Sequence, residues 1–250
     1  MTFHWNWCTK AGTSRKENQD YGGIAAHEDF LLAVVTDGVS SRPRSGELAR
    51  DLVHFLIDRA EKFIGLPTSE QVCQWIKDAF HALKTEQAAK SSTSVVVACF
   101  SQEQVLFAVH AGDCRIGVPD DVNGFSWKNQ VHSLANGIKE LEESELREHP
   151  ARSKLTRAFG TKRFVELEVT NLNCFFENGA ALVTDGFWAG LPIQEQNCQE
   201  NPSWKEELNC DDDISRLIVQ WKRGEFFEPE AAENFYFKKN SALDLQPKNK

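Results

Sequence analysis

Two apolar runs in the chain end in the same three letters: LLAVVTDG at residues 31–38 and ALVTDG at residues 181–186. Each delivers a carboxylate, Asp37 or Asp185, followed by a glycine whose missing side chain lets a backbone carbonyl approach a ligand closely. Asp-Gly after an apolar run is also a strong hairpin signal, so each motif alone reads first as a turn. Further acids sit at strand ends or in special turns. Asp20 lies in SRKENQDYGG just after Arg15, Asp113 in HAGDCRIG, and Asp211, Asp212 and Asp213 immediately before ISRLIV. Individually these have ordinary readings: a Gly-Asp turn, a solvated acidic loop, a surface cation. Collectively they are the oxygen donors that hard divalent cations such as Mg²⁺ and Mn²⁺ take. The seven histidines form no H-x-H or H-E-x-x-H pair, which disfavours a zinc hydrolase.

Composition narrows the classes further. With Lys+Arg 28 against Asp+Glu 37, the net charge is -9, which argues against nucleic acid or an anionic membrane as the main partner. The 7 cysteines are odd in number, contain no C-x-x-C, and follow no secretory leader. They read as reduced thiols, and a cytoplasmic setting is expected. No stretch approaches the ~18 apolar residues of a membrane span.

The elements that must position these acids follow from periodicity. Phe30 to Val35 reads as a strand. Glu47 to Phe63 places Leu48, Leu52, Phe55, Leu56 and Ala60 on one helical face. Ser69 to Lys84 repeats the pattern through Val72, Ile76, Ala79, Phe80 and Leu83, with Ser69 as the expected N-cap. The runs 93–100 and 104–112 predict neighbouring antiparallel strands, and the charged stretch KELEESELREHPARSK a short helix or flap. Further strands are expected at Phe164 to Val169, Ala180 to Thr184 and Ser215 to Trp221. Strand runs bracketing a helical pair predict an α+β domain of two sheets with helices outside. After Gly224 the composition turns aromatic and charged, so residues 1–224 are expected to form the domain and 225–250 a peripheral segment with a disordered tip. The aromatic residues 226, 227 and 235–237 of that segment are expected to dock on the domain.

The order R-x-x-N-Q-D, apolar-TDG, G-D-C-R, L-T-R-A-F-G, apolar-TDG-F-W and D-D-I-S resembles the metal-dependent type 2C serine/threonine protein phosphatases in their compact bacterial form. Arg15 to Asp20, Asp37-Gly38, Ser91 to Ser94, Gly112 to Arg115, Leu155 to Gly160, Asp185-Gly186 and Asp212 to Ser215 are the matching stretches, spanning about residues 8 to 222. The resemblance implies a four-layer α-β-β-α sandwich of two antiparallel sheets. It also implies that Asp37 bridges two Mn²⁺ or Mg²⁺ ions, that the Gly38 carbonyl helps to hold one, and that Asp185 and Asp212 complete the other. Asp20 would bind the metals or metal-held water, and Arg15 the substrate phosphate, a task that suits its fork of N–H donors. The implied reaction is hydrolysis of phosphoserine or phosphothreonine by a water bridging the two ions. Two divalent ions about 4 Å apart can acidify such a water and neutralise an in-line phosphoryl transition state. The implied substrate is a protein phosphorylated by a Ser/Thr kinase, and a monomer is expected.

The chain also departs from the family. Asp37-Gly38-Val39-Ser40-Ser41 lacks the histidine that follows the first Asp-Gly in animal relatives, so a water or the leaving group itself must supply the acid. Ala189 stands where an acidic residue commonly helps to bind a third metal, which leaves Asp113 a structural role or a weak third site. Val131-His132-Ser133 replaces the common D-H-S, and the interval from Asp185 to Asp212 is short, as if lacking a helix. These departures motivate an alternative, a catalytically weak regulatory module that keeps the fold and binds a phosphoprotein. A hydrolase of small phosphate esters would share the site and differ only in substrate.

Overall fold

The computed structural model describes residues 2–86, 88–102, 104–120, 124–175, 179–196, 202–222 and 232–240. Its strands are β1 (Thr2–Lys10), β2 (Asp20–Ala26), β3 (Leu31–Gly38), β4 (Thr93–Ser101), β5 (Gln104–Ala111), β6 (Arg115–Asp120), β7 (Gly124–Trp127), β8 (Glu168–Phe175), β9 (Ala180–Val183), β10 (Ile214–Lys222) and β11 (Phe235–Lys239). The helices are α1 (Ser45–Glu61), α2 (Ser69–Ala82), α3 (Glu143–Glu148), α4 (Asp185–Trp188) and α5 (Trp204–Glu207).

One sheet has the order β1-β10-β9-β6-β7 and the other β11-β2-β3-β4-β5-β8. Every pairing is antiparallel except that of β11 with β2. The period of two along β3 explains why the sheets stack as they do. Leu31, Ala33 and Val35 enter the core between the sheets with Phe3, Trp5, Val96, Leu182 and Leu217, whereas Leu32 and Val34 face Leu52, Leu56 and Ile76 of the helix pair. A strand buried on both faces reads as a continuous apolar run, which is what this one does. The far face of the five-stranded sheet is covered by the short helices, through Phe187, Trp188, Leu191 and Trp204. The layers are therefore α-β-β-α, with one helical layer long and the other thin.

Two local expectations are corrected. The cap of α2 is Thr68, which forms a full capping box with Gln71, so the residue before the expected one carries the motif. The strand expected at Phe164 to Val169 lies at Glu168–Phe175, because it is the edge of its sheet and its polar residues weaken the apolar signal. The C-terminal segment contributes β11 to the six-stranded sheet, with Phe235 against Trp7 and Phe237 against Trp5. The boundary at residue 224, Phe226, Phe227 and the tip at 241–250 lie outside the described residues.

Candidate metal centre

Strand register brings the first acids together. Antiparallel pairing sets Asp20 directly opposite Asp37, and Asp37 opposite Ser94. Asp37-Gly38 does not turn a hairpin: both residues are still in the β3 ladder, and Gly38 is not among the glycines of positive φ. Space demands this glycine, since a Cβ would stand 2.7 Å from the backbone carbon of Ser45, where α1 begins. The second motif is not a hairpin either. Asp185 opens α4, and a Cβ on Gly186 would come 2.0 Å from the Asp213 carbonyl oxygen. The two identical tripeptides thus seat their carboxylates differently, one in a strand ladder and one in the first turn of a helix.

Asp113 follows β5 in a turn that Gly112 makes with φ +113. The hydroxyl of Ser94 accepts both the Asp113 and the Cys114 backbone N–H at 2.8 Å, and the Trp188 indole donates to the Asp113 carbonyl at 2.9 Å. The triple aspartate divides three ways. The Asp211 carboxylate accepts from the Thr13 hydroxyl at 3.1 Å, and Asp212 pairs with Arg15 through its Nε at 3.0 Å and also through Nη2. The buried Asp213 accepts the backbone N–H of Gly12 and of Gln19, each at 2.8 Å. Asp213 therefore clips the loop that carries Arg15 onto the start of β10. The Asp212 side chain is 42% exposed against 10% for Asp185, which puts Asp212 and its arginine at the mouth of the cluster.

The acids act strongly on one another. Burial, followed by the charges of Asp20, Asp185, Asp113 and Asp212, raises the Asp37 carboxyl well above the usual range. Asp20 is raised well above it by burial and then by Asp213, and Asp185 is raised by burial and then by Asp212. Burial and Asp185 push Asp113 up to about 8. Such shifts are those of clustered carboxylates in want of a counter-charge. Among the described residues, the buried oxygens Asp20 Oδ1 and Asp113 Oδ1 have no hydrogen-bond partner, whereas Asp20 Oδ2 accepts from the Thr184 hydroxyl at 2.9 Å. Among the described residues, two cations touch the cluster: Arg15 on Asp212, and Arg152, whose Nη1 lies 3.1 Å from Asp185 Oδ2.

The structure thus gathers Asp20, Asp37, Asp113, Asp185, Asp212 and Arg15 at one end of the sandwich, drawn from both sheets. An all-oxygen donor set of this charge fits hard divalent ions. Sequence reasoning missed Asp213, Thr184 and Arg152. Three adjacent aspartates give no local signal that separates ligand from clip, and Arg152 sits in a run of surface charge.

A second group of ligand-type side chains, His110, His132 and Glu168, lies nearby. The imidazoles are stacked, 4.6 Å apart and 7° from parallel, so their in-plane lone pairs cannot converge on one ion. His132 Nδ1 accepts the Gly112 N–H at 3.2 Å, which leaves Nε2 to donate to Glu168 at 2.9 Å. His110 Nε2 faces the Gln130 carbonyl at 3.0 Å. This polar knot braces the Gly112 turn from behind and explains the place of His132 in the altered Val131-His132-Ser133 motif.

Comparison with known proteins agrees with this geometry. The family model of protein phosphatase 2C matches residues 10–217. No curated protein matches the sequence. Among solved structures, the serine/threonine phosphatase Stp1 from Staphylococcus aureus is 21% identical, with 88% of this chain and 95% of that one covered and a TM-score of 0.71. The serine/threonine phosphatase PstP/Ppp of Mycobacterium tuberculosis is 15% identical over 89% and 100%, TM-score 0.70. The Ser-Thr phosphatase MsPP of Mycobacterium smegmatis, in complex with cacodylate, is 18% identical over 88% and 98%, TM-score 0.68. These likenesses bear on the fold, the four-layer sandwich described above.

Proposed function

The chain belongs to the protein phosphatase 2C family, and on that premise we propose that its carboxylate cluster is a two-ion Mn²⁺ or Mg²⁺ centre for hydrolysing phosphoserine and phosphothreonine. As a member of the family it is a metal-dependent phosphoprotein phosphatase, a hydrolase of phosphoric monoesters. The observation that carries the proposal is the convergence of five carboxylates, two of them with unpartnered buried oxygens, at one end of the sandwich.

In this reading Asp37 and the Gly38 carbonyl, with Asp185 and Asp212, hold the ions, while Asp20 faces them and Asp113 serves a weak third position. When bound, the ions supply an acidified water and neutralise charge on the phosphoryl group. Arg15 binds the substrate phosphate from its place beside Asp212, whose carboxylate its Nε meets at 3.0 Å. Ser94 and Thr93 fix the loop geometry around Asp37 and Asp113, the Thr93 hydroxyl donating to the Asp37 carbonyl at 2.8 Å. Asp213 orients Arg15 through the backbone of the loop it clips.

The reading carries a phosphorylated protein made by a Ser/Thr kinase as the substrate, a monomeric enzyme and a cytoplasmic setting. It accords with the six described cysteines being free and with the lack, among the described residues, of a helix long and apolar enough to cross a membrane. The test is hydrolysis of p-nitrophenyl phosphate and a phosphothreonine peptide with Mn²⁺, Mg²⁺ or EDTA, beside Asp37→Asn. Metal-dependent activity that the substitution abolishes is the expected result. Full activity in Asp37→Asn would refute the site, and a folded but inert wild type would favour the regulatory module.

A further inference from the structure

Strand β11 lies beyond the segment matched by the family model, which ends at residue 217, yet it reaches the candidate centre. Asn234 precedes it with φ 53, a left-handed conformation that asparagine tolerates better than most residues. Its carbonyl accepts the Gly22 N–H at 2.9 Å. Its side-chain amide donates to two backbone carbonyls, Asn18 at 3.1 Å and Asp20 at 3.0 Å. Between them, the Gln19 carbonyl accepts the Gly38 N–H at 3.1 Å. Three successive carbonyls of the Arg15–Asp20 loop are thus tied down, the outer two by one side chain from the far C-terminal end. The Trp7 indole donates to the Glu233 carbonyl at 2.9 Å, and the Tyr236 hydroxyl to Asp58 at 2.8 Å, holding the strand that presents the amide.

We propose that Asn234 is a positioning residue of the metal centre, locking Asp20 and the loop of Arg15 in the ligand-holding arrangement, so that the phosphatase site is complete only with a strand from outside the matched domain. The inference rests on the metal-centre reading. An Asn amide has two N–H donors, and here both are spent on the loop. With them gone, the carbonyls of residues 18 and 20 lose these donors, and the backbone that carries the Asp20 carboxylate keeps its pairing with β3 but not the tie from this side chain.

The test uses Asn234→Gly, which keeps the backbone conformation and the bond to Gly22, and the isosteric Asn234→Asp, which removes the donors. Tyr236→Phe weakens the docking of the same strand without touching the loop. Mn²⁺ binding to the EDTA-treated full-length proteins is measured by calorimetry, beside kcat and KM for a phosphothreonine peptide and the melting temperature. Both Asn234 variants should bind Mn²⁺ about tenfold more weakly, the scale of one or two lost hydrogen bonds, while Tyr236→Phe, with a similar melting temperature, binds as the wild type does. Unchanged Mn²⁺ binding in both Asn234 variants overturns the proposal, and so does equal weakening in Tyr236→Phe. If the glycine variant does not fold, the aspartate carries the test. Asp37→Asn in the same experiment separates the two failures: if it too binds Mn²⁺ normally, the metal-centre reading falls, and if only the Asn234 variants do, the positioning role alone is refuted.

Discussion

Removing metal from this protein should make its stability fall as pH rises through neutrality, the reverse of the usual behaviour of a folded protein with paired carboxylates. The cause is the acid cluster. Asp113, raised to about 8 chiefly by burial and by Asp185, keeps its proton in the folded chain up to that pH and loses it near 4 when unfolded. An acid whose folded pKa is raised contributes stability below its unfolded pKa and forfeits it as pH climbs through the folded value. The window can be chosen to isolate the acids. The histidines His27, His54, His110 and His132 are all lowered by burial, so their contribution is complete above their unfolded value of about 6.5. Between pH 6.5 and 8, one proton held by the folded state alone costs about 1.4 kcal/mol per pH unit, or roughly 2 kcal/mol in all. Asp20 and Asp37, raised well above the usual range, add to that figure. At a urea slope of about 3 kcal/mol/M, the denaturation midpoint of the EDTA-treated protein should drop by roughly 0.7 M or more over the window. Saturating Mn²⁺ should abolish or invert the trend, because the ions bind the ionised carboxylates and stabilise the fold by mass action. A metal-free protein with the same urea midpoint at both ends of the window would refute the reasoning, since the carboxylates could not then be crowded as described.

Arg15→Ala should raise KM for a phosphothreonine peptide by about tenfold or more with a smaller change in kcat, and an unchanged KM in steady-state assays would remove Arg15 from phosphate binding. Ser94→Ala leaves the buried N–H groups of Asp113 and Cys114 without their acceptor, a cost of about 1–3 kcal/mol each that thermal melting followed by circular dichroism would register. Gly186→Ala must displace the Asp213 carbonyl, which a Cβ would approach to 2.0 Å. Because Asp213 clips the Arg15 loop, turnover should fall together with melting temperature, and a fully active, equally stable variant would show that α4 and the start of β10 part without consequence.

The long periodic segments were legible because burial on one side leaves a mark in the residues themselves. Both long helices and the runs around residues 31–38, 93–101 and 104–111 fall where hydrophobic spacing puts them. The strand Asp20–Ala26 was not legible, for its glycines and its polar approach mask the alternation, and β11 was hidden in a tail whose aromatics read only as something to be docked. Position along the chain also hid Asn234, since nothing local links residue 234 to residues 18 and 20.

By itself the sequence determined which groups could do chemistry and in what order they come: an arginine with an aspartate five residues on, two Thr-Asp-Gly strand ends, a Gly-Asp turn and a run of aspartates before the last long strand. It also marked β3 and β4 as strands buried on both faces, because their apolar runs are continuous. The tertiary structure decided that these acids meet, that Asp213 is a clip while Asp212 faces the mouth with Arg15, that Gly38 and Gly186 answer to crowding rather than to turns, and that a C-terminal strand pairs with β2 beside the Arg15–Asp20 loop. Those outcomes depend on pairings between residues as much as 216 positions apart. Alternation tells a strand which way its side chains point; only the partner strand tells it whose charge they meet.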